Sequence, residues 1–162
     1  MVTRYFPLAV FLLLVVAASL AGSVFEAGEW FHVTMNQPSL TPPSWLFGPV
    51  WALVYAFMAL AAWNVWQSGH YSRIPALAWW AVLLALNVAW PALFFGLNRP
   101  GWALPVLTLA VGIAILCTRA FGQLSRQASY LMAPYLVWIT FLLLFNLAVW
   151  TKNGGFLQNL LP

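Results

Sequence analysis

The chain has 162 residues, 64% of them hydrophobic and 5% charged, and its mean hydropathy of +0.90 is too high for a water-facing surface, which excludes a soluble globular domain. A bilayer core of about 30 Å takes roughly 20 apolar residues per helix, so this length holds about five spans joined by short loops and no separate soluble domain. Six Lys and Arg against two Asp and Glu give a net charge of +4, but the cations stand singly at the ends of apolar runs, where they act as membrane anchors rather than as a nucleic-acid surface.

Five apolar stretches predict an all-α, integral membrane bundle of five transmembrane helices forming a single domain over 1–162. The first runs from about Phe6 to Gly22 and, with Arg4 before it and small residues at its end, also resembles a secretory signal peptide. The second runs from about Ser44 to Trp66, introduced by Thr41-Pro42-Pro43-Ser44, a hydroxyl cap with early prolines that suits a helix start. The third runs from Pro75 to Gly96, the fourth from Gly101 to Thr118 and the fifth from Ser129 to Trp150. Pro91 and Pro134 fall within or near spans and are expected to bend them. Cys117 is the single cysteine, so no intrachain disulfide forms, and it reads as a buried packing thiol.

The connections are unequal. Ser23 to Pro43 is a long loop carrying Trp30, Phe31, His32, Asn36 and Gln37, and long ordered loops in compact proteins often act as lids. We expect it to cover the mouth of the bundle. With the N-terminus inside, Arg4, Arg73, Arg119 and Arg126 lie on the inner side against Arg99 and Lys152 outside, which favours N-in, C-out.

The chain has no GxSxG, HExxH, Walker or GxGxxG motif, and its only carboxylates, Glu26 and Glu29, share one loop. No carboxylate or histidine lies within a span to relay protons. Glu26, Glu29 and His32 read as a solvated loop rather than a metal site, and no metal or cofactor is required. The spans carry aromatic rings and amides instead. Trp51, Tyr55 and Met58 share one face of the second span, Asn87, Trp90 and Phe94 one face of the third, and Pro134, Trp138, Leu142 and Asn146 a stripe along the fifth. An amide at membrane depth needs a partner, so Asn87 and Asn146 are expected to face the bundle interior. These groups fill a core, or they wall a pocket for a large planar apolar ligand, with rings for stacking and a few polar groups for orientation. On the third span Ala81, Ala85 and Ala89 form a small-residue side opposite the rings, suited to close approach of a second copy in a homodimer.

These residues resemble the TspO/translocator protein family. The segments that carry the resemblance are Pro38-Ser39-Leu40-Thr41-Pro42-Pro43-Ser44-Trp45-Leu46-Phe47-Gly48-Pro49-Val50-Trp51 with Tyr55, Asn87-Val88-Ala89-Trp90-Pro91-Ala92-Leu93-Phe94-Phe95-Gly96, Trp102-Ala103-Leu104, Ala133-Pro134-Tyr135-Leu136-Val137-Trp138-Ile139-Thr140-Phe141 and Asn146-Leu147-Ala148-Val149-Trp150. Their order and spacing match from Trp30 onward. The resemblance implies five helices, which favours keeping the first stretch as a span, and a pocket beneath the first loop for porphyrins such as protoporphyrin IX and heme. By matching position, Trp51, Asn87, Trp90, Phe94, Trp102, Trp138 and Leu142 would line that pocket, with Trp30, Phe31 and Pro42 near its roof. Its functions would be sensing, transport or regulation of tetrapyrroles. The alternative it implies is a light- and oxygen-dependent degradation of porphyrin in which Trp51 and Trp138 take part.

The chain departs from the family pattern at several points. Bulky Leu142 stands where relatives often have Ala and is expected to narrow the pocket. Val106 replaces a carboxylate, Leu40 replaces a Trp, and the first loop carries an extra residue. The sterol pattern expected at the end of the fifth span lacks its tyrosine in Leu147-Ala148-Val149-Trp150-Thr151-Lys152, while Val65, Tyr71 and Arg73 match it around a polar loop, which shows how little it specifies.

Overall fold

A computed structural model describes residues 2–25 and 27–155. Five helices, α1 (Val2–Ser23), α2 (Ser44–Gln67), α3 (Arg73–Pro91), α4 (Pro100–Leu124) and α5 (Arg126–Lys152), make up the fold, with short π-helical turns at Trp30–Thr34 and Ala92–Gly96 and no strand among the described residues. All five are long and apolar enough to cross a membrane, so the protein is an integral, multi-pass membrane protein.

The helices close a ring in the order α1, α2, α5, α4, α3. In α1 only 11% of the apolar span is buried, against 33–39% in the other four, so α1 is the peripheral member and shows most of its surface to lipid. Because every helix is apolar nearly all round, a polar-versus-apolar stripe cannot decide what faces inward. Packing decides instead, burying large side chains such as Leu83 and Leu107 and selecting small ones at close helix contacts. Ala59, Ala61 and Ala62 of α2 and Ala103, Ala110 and Ala114 of α4 are buried, while Leu53, Leu109, Ile115, Val137 and Leu144 face out. Small residues let helix backbones approach closely where lipid supplies no hydrophobic drive. Side-chain donors then tie neighbours together, as where Trp80 Nε1 donates to the Met58 carbonyl at 3.1 Å.

Several boundaries differ from the sequence expectation. The fourth helix does not stop at Thr118 but carries Arg119 on to Leu124, since an arginine near a helix end can send its charged head to the interface while its stem stays apolar. Ser125 alone then separates α4 from α5, and its hydroxyl accepts from the Ala128 N–H at 3.3 Å as the cap of α5. Of the two expected bends, Pro91 ends α3 and leads into the turn Ala92–Gly96, where the Leu97 N–H reaches the Ala92 carbonyl at 2.9 Å. Pro134 lies inside α5, which continues from Arg126 to Lys152.

At the end of the bundle where α1 finishes and α2 begins, the connecting loop folds back over the helices. Its anchor is Phe31, 5% exposed, whose ring lies against Phe94, Phe95 and Phe145 at centroid distances of 6.0, 5.5 and 6.2 Å. Met35 and Pro38 are buried beside it.

Candidate functional site

Under this loop lies a cavity of about 690 Å³, within the roughly 300–1,000 Å³ of small-molecule sites. Its walls come from α1 (Ser19, Gly22, Ser23), α2 (Phe47, Gly48, Trp51, Tyr55), α3 (Asn87, Trp90, Pro91) and Phe95, and its roof from the loop (Phe25, Ala27, Phe31, His32, Gln37, Thr41 to Ser44). Helix α4 and helix α5 contribute no lining residue.

The inner face is aromatic. Trp51 and Tyr55, one turn apart on α2, have ring centroids 5.0 Å apart at 30°. Trp90 on α3 sits 5.5 Å from Phe94 and 5.8 Å from Phe95. Phe25 reaches the cavity because residue 96 is glycine: a Cβ there would lie 2.7 Å from the Phe25 ring.

The polar groups are held by a buried network. The Tyr135 hydroxyl donates to Asn87 Oδ1 at 2.9 Å, and the Tyr55 hydroxyl neighbours the same amide. The Asn87 nitrogen is left without a partner. A buried donor left unpaired is costly, and this nitrogen is itself buried, so the Asn87 amide, tied by Tyr135 and beside Tyr55, is a polar group within the cavity wall. Trp90 Nε1 donates to Asn146 Oδ1 at 3.0 Å, and Asn146 Nδ2 donates to the Pro100 carbonyl at 2.8 Å. Asn146 thereby fixes the plane of the Trp90 ring and joins α3, α4 and α5.

Of the residues expected in the site, Phe31, Pro42, Trp51, Tyr55, Asn87 and Trp90 line the cavity. Trp30, Phe94, Trp138 and Asn146 stand behind it. Trp30 packs edge-on to Phe94 at 6.2 Å, and Trp138 packs edge-on behind Trp51 at 6.2 Å and 90° and against Phe47 at 5.7 Å. Leu142 is fully buried and outside the lining, so it does not narrow the cavity directly. Trp102 is 64% exposed. The inward stripe of α4 runs through Ala103, Leu107 and Ala110, which turns the neighbouring Trp102 outward, where it sits as an interface aromatic.

The sequence reading missed Phe25, Phe47, Phe95, His32 and Gln37. Phe47 lies one turn before Trp51, so extending the stripe of the second span backward finds it. The others come from loop and turn backbone, where no helical period applies. Among the described residues no group of three or more His, Cys, Asp or Glu could hold a metal ion, and Glu26, half of the loop carboxylate pair, lies outside the described residues.

The family model described as the TspO/MBR family matches residues 9–151. The chain is 39% identical to the translocator protein of Homo sapiens over 139 residues, covering 83% of this chain and 82% of that protein. It is 35% identical to the tryptophan-rich protein TspO of Archaeoglobus fulgidus over 145 residues, covering 88% and 94%, and 36% identical to the tryptophan-rich sensory protein of Cereibacter sphaeroides over 124 residues, covering 76% and 77%. With five helices able to span a membrane and a match that runs through nearly all of the chain, this protein belongs to the TspO/MBR family.

Proposed function

We propose that the protein binds porphyrins and similar planar hydrophobic molecules in the membrane, with protoporphyrin IX or heme as ligand, and acts in their sensing or transport. The observation that carries this reading is that Trp51, Tyr55 and Trp90 line one roofed cavity, with Asn87 as a polar residue of its wall. Flat apolar rings reward stacking over area, and a few polar groups in the wall orient a ligand without demanding a charged one. The names of the relatives, translocator and sensory protein, agree with a role in moving or detecting a ligand.

Titration of the protein in lipid nanodiscs with protoporphyrin IX tests this. Saturable quenching of tryptophan fluorescence is expected, weakened about tenfold or more in Trp51→Ala, since one stacked aromatic contributes on the order of 1–3 kcal/mol. Quenching that does not saturate, or that is equal in Trp51→Ala, overturns it.

The contact of Trp138 with Trp51 favours a second reading, light-driven degradation of the bound porphyrin with molecular oxygen as the oxidant. Under illumination, loss of protoporphyrin IX that stops in Trp51→Phe with Trp138→Phe while binding persists would establish it. Unchanged porphyrin in the unaltered protein would dismiss it.

Two further features complete the reading. Ala81 and Ala85 face away from the bundle while Leu83, Leu84, Asn87 and Trp90 face in, which supports a homodimer through Ala81, Ala85 and Ala89. An N-in orientation would put the cavity and its loop on the outer side, opposite the end that carries Arg73 and Arg126.

A further inference from the structure

His32 lies on the cavity lining, in the turn Trp30–Thr34 of the covering loop. The backbone around it is fixed from several sides. Its N–H donates to the Gly28 carbonyl at 3.3 Å and the Met35 N–H to the Trp30 carbonyl at 3.1 Å. The preceding residue, Phe31, is buried among rings, and Gln37 Nε2 holds its carbonyl at 3.0 Å. The imidazole itself is exposed; among the described residues it makes a ring contact with Phe31 and no hydrogen bond. The loop backbone thus holds an exposed imidazole, without a hydrogen bond among the described residues, on the lining of the cavity.

Imidazole is the commonest protein ligand for transition metals and suits iron and zinc. A bare ion needs several protein ligands, and no group of three or more ligating residues exists among the described residues. A metal that arrives with its equatorial positions already filled needs only one axial nitrogen from the wall. Such a metal is the centre of a flat macrocycle, the shape that Trp51 and Trp90 favour. Among the described residues no other residue on the lining carries an imidazole or a sulfur, Cys117 is buried in the core, and His70 lies in the α2–α3 connection at the other end of the bundle, its Nδ1 accepting from the Ser72 N–H at 3.2 Å.

We propose, resting on the porphyrin reading of this cavity, that His32 is an axial ligand for the metal of a metalloporphyrin, so that the site prefers iron or zinc porphyrins over the metal-free ring.

The test titrates nanodisc-embedded protein with hemin, zinc protoporphyrin IX and metal-free protoporphyrin IX, followed by Soret absorption. Expected are a histidine-ligated hemin spectrum and a hemin affinity that falls at least about tenfold, about 1.4 kcal/mol, in His32→Ala. Metal-free binding is expected to fall much less than hemin binding in that variant, and its thermal midpoint, compared with that of His70→Ala, shows that it is folded. Added imidazole restores the ligated spectrum to His32→Ala, and His70→Ala behaves like the unaltered protein. A hemin spectrum and affinity that survive in His32→Ala overturn the ligation while leaving the porphyrin reading intact. Failure of the unaltered protein to bind any of the three porphyrins overturns the porphyrin reading itself.

Discussion

Asn36, in the loop that roofs the cavity, and Asn153, at the end of α5, hold each other by two hydrogen bonds across 117 positions of chain: the Asn36 N–H donates to Asn153 Oδ1 at 2.8 Å, and Asn153 Nδ2 donates back to the Asn36 carbonyl at 3.1 Å. Beside them Lys152 Nζ donates to the Gln37 carbonyl at 2.8 Å. The loop is therefore fastened at its middle to the C-terminal end of the fifth helix, and packed by Phe31 on the other side. One side chain pairing with both polar groups of a peptide makes a latch that a single substitution opens.

Asn153→Ala is expected to loosen the loop without unfolding the bundle. Each solvent-exposed hydrogen bond contributes about 0.5–1.5 kcal/mol net, so local opening should rise about fivefold or more. Limited proteolysis within 24–43 and the dissociation rate of a bound porphyrin should both accelerate, with Lys152→Ala showing a smaller change in the same direction. Cleavage at equal rates with and without ligand in the unaltered protein would argue against the loop acting as a lid.

Asn146→Leu removes the acceptor of Trp90 and the donor to Pro100. Two buried groups then lose partners, at about 1–3 kcal/mol each. A lowered thermal midpoint is expected, together with weaker porphyrin binding because Trp90 loses the bond that sets its ring plane. Midpoint and affinity measured on the same preparation check both.

Leu142→Ala is expected to act on stability more than on the ligand. Leu142 is fully buried and not on the cavity wall, so truncation leaves an internal void at about 2–5 kcal/mol. Unfolding monitored by tryptophan fluorescence should show the loss, while affinity for protoporphyrin IX should change less than in Trp51→Ala. A large gain in affinity for bulky ligands would show instead that the void joins the cavity.

Cysteines at Ala81 and Ala85 should crosslink two copies in the membrane, whereas one at Val137, on the outward face of α5 and 71% exposed, should not. Equal yields at all three positions would point to random collision.

How far the site was legible in the sequence varied from helix to helix. On α2 and α3 the period of 3.6 residues identified the inward face correctly, and Trp51, Tyr55, Asn87 and Trp90 all line the cavity. On α5 the same period identified Trp138, Leu142 and Asn146 as inward, and they are buried, but inward there means toward neighbouring helices rather than toward open space. Trp102 shows the converse, since family position placed it in the pocket and the stripe of α4 turns it outward.

By itself the sequence determined the membrane setting, the five spans and the inward direction of Asn87 and Asn146, because hydrocarbon thickness and helical period are local constraints read within one segment. Only the tertiary structure decided which inward side chains meet empty space, that Tyr135 ties Asn87 from 48 positions away, and that Asn153 latches the loop. A cavity is where the packing of several helices leaves a volume unfilled, and that depends on which residues distant in the chain come to stand side by side.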